Sequence, residues 1–172
     1  MRFPGATDLV ILSRGHAAEA REWTGKVMSR IGLTLNEAKT SVKDARRETF
    51  NFLGYTFGPM RHWKDGRWYT ATRPADKAIG KLKQAVYDLL QPSQVSPWEE
   101  VRDQLNQKLR GWKAYFSYGS LHKAYREIDA YVYDRVRYFL RRRHQCNRSR
   151  GTRRFSSQVV HGKLGVLRLQ RG

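Results

Sequence analysis

The chain has 172 residues, a formal net charge of +19 and a pI near 10.6. That length supports one substantial core or two small subdomains, and that charge points to a polyanion as partner, because each phosphate neutralised releases condensed counterions. A membrane, the rival polyanion, is disfavoured: no apolar run approaches about 20 residues, and no signal-peptide core follows the N-terminus.

The charge is uneven. Residues 1–72 carry 12 Lys/Arg against 7 Asp/Glu, residues 73–172 carry 22 against 8, and the twelve basic residues beyond Asp134 meet no acid. Cys146 is the single cysteine, which excludes an internal disulfide and suits a reducing interior, the cytoplasm of a bacterial-type cell or an organelle. His144 and Cys146 form a His-x-Cys pair, but no further cysteine completes a structural zinc site, so an ordinary thiol is expected.

Along the chain, Leu9-Val10-Ile11-Leu12 is a short apolar run that reads as a buried strand reached through Ala6-Thr7-Asp8. Residues 16–32 read as a helix, with Ala20, Trp23, Val27 and Ile31 at three- to four-residue spacing and Gly32 as its stop. Leu33-Thr34-Leu35-Asn36 alternates as a short strand or the start of a turn would. The aromatic alternation of residues 50–57 predicts a strand. Asp65-Gly66 between aromatic flanks predicts a hairpin, because both central residues of a type I′ turn need positive φ.

From Pro74 the period changes from two to about 3.6. Ile79, Leu82, Val86 and Leu89 stripe a helix that Pro92 ends. Ser96-Pro97-Trp98-Glu99 reads as a capping box opening a second helix, which carries Val101, Leu105, Leu109, Trp112 and Phe116. A third helix follows Gly119 with Leu121, Tyr125, Ile128, Val132, Val136 and Phe139. Three such stripes can bury one another as a bundle. The tail from Arg141 is expected to be irregular as far as Val166-Leu167-Arg168-Leu169.

Together these segments resemble the back half of the reverse transcriptase–maturase proteins encoded by group II introns. Gly5-Ala6-Thr7-Asp8-Leu9-Val10-Ile11-Leu12 lies over the family's Tyr-Ala-Asp-Asp motif and strand. Leu33 to Thr40 resembles the next palm motif, Phe52-Leu53-Gly54-Tyr55 the primer grip, and residues 74–143, with Arg110-Gly111-Trp112-Lys113-Ala114-Tyr115-Phe116, the thumb-like maturase-specific domain. The implied fold is α+β: a partial reverse-transcriptase palm over residues 1–72, a three-helix thumb-like bundle over 73–145 and a basic tail over 146–172.

The departures are equally informative. The motif's first aspartate is Thr7 here and its tyrosine is Gly5, and the fingers and the earlier palm with its own metal-binding aspartate are not in the sequence. Two Mg²⁺ ions need two or three carboxylates. Asp8 is therefore expected to hold a metal only if another chain completes the site, and otherwise to be a solvated or turn-capping carboxylate. Lys39, which the resemblance casts as the proton donor to the leaving group, is without a metal site a surface lysine. The chain thus resembles an RNA-directed DNA polymerase but is predicted inactive alone.

RNA is the expected partner, a group II intron or another structured RNA, with DNA as a possible competitor. Nine arginines within residues 135–154 repel one another until a phosphate backbone neutralises them. Among them Arg141, Arg142, Arg143, Arg148, Arg150, Arg153 and Arg154 are the expected contacts, since guanidinium groups pair with phosphate in bidentate fashion. Lys108, Arg110 and Lys113 add a second basic group on the middle helix. Trp63 and Trp68, on a basic hairpin, fit either base stacking or cross-strand packing. Trp112, Tyr115 and Phe116 have helical spacing, which fits core residues more often than a base platform. Three functions stand open: an RNA-binding maturase fragment that assists intron folding or splicing, the C-terminal piece of a split polymerase with an N-terminal partner, and a decayed gene product.

Overall fold

The change of period at Pro74 marks a change of architecture. The computed structural model describes residues 8–62, 64–147 and 153–170. In chain order these form α1 (Ala17–Arg30), β1 (Phe50–Phe52), β2 (Tyr55–Arg61), β3 (Trp68–Pro74), α2 (Asp76–Leu89), α3 (Trp98–Tyr115), α4 (His122–Arg143) and a π-helical turn at Val159–Lys163. The fold is mixed α and β. Two compact units divide it, Met1–Ala71 and Thr72–Gly172.

In the first unit the sheet order is β1-β2-β3, with Phe50 opposite Phe57 and Phe52 opposite Tyr55. The continuous strand expected over residues 50–57 is a tight hairpin instead. Leu53 and Gly54 take φ of +47° and +78°, the two left-handed residues that a two-residue turn requires. The rings of Phe50 and Phe57 stack 5.3 Å apart across it. At the β2–β3 connection the type I′ expectation fails, because Gly66 is left-handed (+70°) and Asp65 is not. The Asp65 carboxylate fixes a longer loop, accepting from Arg67 N–H at 3.1 Å and lying 2.8 Å from His62 Nδ1.

Leu9-Val10-Ile11-Leu12 is not a buried strand either. It has no regular structure and is exposed, Leu12 to 83 %. An extended segment needs a neighbour to take its backbone hydrogen bonds, and no described strand pairs with it. Asn36 to Thr40 form a turn closed by Thr40 N–H on Asn36 O at 2.9 Å.

The hydrophobic core lies in the second unit. Ile79, Leu82, Val86 and Leu89 of α2 meet Val101, Leu105 and Leu109 of α3 and Ile128, Val132, Val136, Phe139 and Leu140 of α4. The expected capping box does not form: Pro97 is extended, so α3 starts at Trp98 without a side-chain cap. Between α3 and α4, Gly119 takes φ of +87°, and a Cβ there would collide with the Thr72 carbonyl. That same carbonyl accepts from Ser120 N–H at 2.7 Å, so only glycine lets the loop approach so closely.

The tail departs most from expectation. Phe155, Val160, Val166 and Leu169 are buried members of the core. Two buried polar side chains hold the last segment on the bundle. Asn106 on α3 donates to Gly165 O at 2.8 Å and accepts from Leu167 N–H at 2.7 Å. Asp129 on α4 accepts from the N–H groups of Leu169 and Gln170 at 2.8 and 3.0 Å. Residues 155–170 are therefore packed on the bundle, through apolar burial and satisfied buried hydrogen bonds.

Candidate nucleic-acid interface

Helical periodicity places Tyr131, Arg135, Tyr138 and Arg142 at four-, three- and four-residue steps, one stripe of α4. Packing of α2 against α4 adds Tyr87 beside it. The Arg135 guanidinium lies 4.5 Å from the Tyr87 ring centre and 5.5 Å from that of Tyr138. Arg142 donates to the Tyr138 hydroxyl at 3.1 Å and lies 5.8 Å from its ring. The Tyr138 phenol is held below its ordinary value by that hydrogen bond first, then by the charges of Arg142, Arg135 and Arg141. Tyr87 and Tyr138 are 43 % and 40 % exposed and Arg142 is exposed beside them, whereas Arg135 is half-buried with its Nε–H enclosed and without an acceptor among the described residues. Such a surface pairs with phosphate and stacks on bases.

The sequence singled out Arg142 but not Tyr87, Arg135 or Tyr138. The α4 spacing was readable from the chain; the approach of Tyr87 required the packing of two helices.

The other expected cations divide by what they touch. Arg142, Arg153, Lys108 and Arg110 are exposed, and Arg141 is half-buried with its Nε–H enclosed and no acceptor among the described residues. Arg143 is committed to structure: it donates to Ser96 O at 2.7 Å and Val95 O at 3.1 Å, tying the end of α4 to the α2–α3 loop. Lys113 donates to Leu169 O at 2.8 Å and so anchors the C-terminal segment. Arg154 packs on Phe155, 3.7 Å from Cys146 Sγ. Arg148 and Arg150 lie outside the described residues, as does Trp63; Trp68 is 70 % exposed.

Residues 79–156 match the family model of the group II intron, maturase-specific domain. The helical unit carries a maturase-specific domain. The match holds Tyr87, Arg135, Tyr138, Arg141 and Arg142, so the whole ladder lies within this domain. A search of curated proteins finds no match to the chain. Within the maturase-specific domain the basic side chains sort into cations that face solvent and cations that fasten the fold.

The residues expected to serve a polymerase lie outside that domain. Asp8 and Lys39 are exposed, and Lys39 contributes its backbone N–H to the Asn36 turn. Thr7, Gly5 and Ala6 are outside the described residues. Among the described residues no group of three His, Cys, Asp or Glu side chains could hold a metal ion, and no helix is long and apolar enough to cross a membrane.

Proposed function

We propose that this protein is an RNA-binding maturase fragment that assists the folding or splicing of a group II intron inside the cell. A maturase-type function follows from the matched domain. The observation that carries the RNA-binding reading is the Tyr87–Arg135–Tyr138–Arg142 ladder within it, which exposes Tyr87, Tyr138 and Arg142 around the half-buried Arg135. Phosphate contacts from Arg141, Arg142 and Arg153 position the RNA, and the tyrosine faces stack on bases the RNA leaves unpaired. Single-stranded loops and shape, rather than a duplex groove, are what such a surface reads.

A filter-binding titration with structured group II intron RNA tests the reading. The wild-type chain is expected to retain the intron RNA, and Arg142→Gln combined with Tyr138→Ala to weaken retention about tenfold, one stacking contact plus one phosphate contact. Equal retention by both proteins contradicts it.

The first unit favours a second reading, a split RNA-directed DNA polymerase. Leu9, Ile11, Leu12, Trp23, Ile31 and Leu33 are large apolar side chains left exposed there, and such surface marks an interaction site. An N-terminal reverse-transcriptase fragment would cover it and bring the carboxylates that, with Asp8, hold Mg²⁺. Mixing the two pieces is then expected to restore Mg²⁺-dependent primer extension. No product, even with Thr7→Asp, rules this reading out.

A further inference from the structure

We infer that the cleft between α2 and α3 receives one unstacked nucleobase of the bound RNA, an inference that rests on the RNA-binding reading above. The cleft has a volume of about 750 Å³, and α3 lines it with Gln104, Gln107, Lys108, Gly111, Trp112 and Tyr115. It is separate from the α2–α4 ladder, and three of its features fit a base better than any internal need of the fold.

Gly111 is the first. It stands inside α3, where glycine is less favourable than alanine. Yet a Cβ at Gly111 would meet no atom within 4 Å, so packing within the chain does not require glycine there. The bare backbone leaves a flat strip of helix against which a planar ring can lie. Trp112 is the second. Its ring lies 4.5 Å from that of Phe116 and 6.1 Å from that of Tyr125, which holds the indole rigidly as one wall of the cleft, a fixed surface on which a base can stack.

The third feature is the rim. Gln104 and Gln107 are exposed and lie one turn apart on α3, offering amide donors and acceptors that suit the mixed edge of a base. Lys108 beside them supplies a cation for the flanking phosphate, and the Trp112 and Tyr115 rings supply walls. An apolar peptide would leave the amides and the ammonium unmatched.

Indole N–H signals of the full-length chain give the test. There are five tryptophans, and Trp112→Phe identifies the signal of Trp112. A single-stranded oligoribonucleotide is expected to move that signal, while inorganic polyphosphate is not. Gly111→Leu fills the cleft with a good helix former; it is expected to abolish the movement and weaken single-strand binding about tenfold, the scale of one base stack. Its affinity for a duplex of equal length and its helical circular dichroism are expected to match wild type, and Gly111→Ala to melt at a higher temperature than wild type. Single-strand binding that leaves the Trp112 signal unmoved, or that survives Gly111→Leu at full strength, overturns the inference. So does a signal that moves with an apolar or proline-rich peptide and not with RNA, which assigns the cleft to a protein. A wild-type chain that binds no RNA of any kind instead overturns the RNA-binding reading beneath it.

Discussion

At the scale of single residues, the buried polar groups of the helical unit are fasteners. Asp129 uses both carboxylate oxygens on the backbone N–H groups of Leu169 and Gln170. Asn in its place keeps one acceptor and turns a donor toward the other N–H. Asp129→Asn is therefore expected to cost about 1–3 kcal/mol, the penalty of an unmet buried group, and to speed amide exchange at Leu169 and Gln170 ahead of the helix interiors. Asp76 at the first position of α2 receives Arg73 through two hydrogen bonds of 2.6 and 3.2 Å, and its carboxyl is held below the ordinary carboxylate range chiefly by them. Its folded value lies below its unfolded one, so the stabilisation is full above about pH 4 and fades as pH falls through the lowered value. Asp76 is largely exposed, so Asp76→Asn is expected to cost no more than about 1 kcal/mol at neutral pH. Paired melting curves are expected to show that difference shrinking toward zero in acid.

At the scale of elements, legibility followed periodicity. The stripes of α2, α3 and α4 were readable because a 3.6-residue repeat with several aliphatic side chains has one way to be buried. The Phe50–Phe57 segment misled because its alternation continues through Leu53-Gly54, and leucine is a poor left-handed residue. Leu53→Asn, which supplies the Asn-Gly pair preferred in such turns, is expected to stabilise the β1–β2 hairpin by about 1 kcal/mol, measured as slower exchange of the cross-strand amides. The C-terminal segment was hidden for another reason: its anchors, Asn106, Lys113 and Asp129, lie about 40 to 61 residues upstream in the chain, and arginine density suggested a loose tail. Among the site residues, composition located the basic region but not its sorting. Only packing separates Arg142, which faces solvent, from Arg143, which holds Val95 and Ser96.

At the scale of the whole molecule, the two units differ in how fully they bury what they carry. The helical unit encloses its apolar stripes and closes them with its own C-terminal segment, whereas the first unit leaves Leu9 to Leu12, Trp23 and Ile31 in water. The positive charge is concentrated in the better-formed unit, and beyond Asp134 it is unopposed by any acid. The RNA binding proposed for this chain is therefore expected in the segment that matches the maturase-specific domain, and its free energy should carry the signature of displaced counterions. The salt dependence of intron-RNA affinity tests this most directly. Plotted as the logarithm of the binding constant against that of salt concentration, wild type is expected to fall steeply. Arg141→Gln with Arg142→Gln is expected to flatten the slope by about 1.5 to 2 units, one contact for each arginine, whereas Arg143→Gln lowers stability and leaves the slope in place. A double variant with the wild-type slope and affinity would contradict the assignment of RNA to this face.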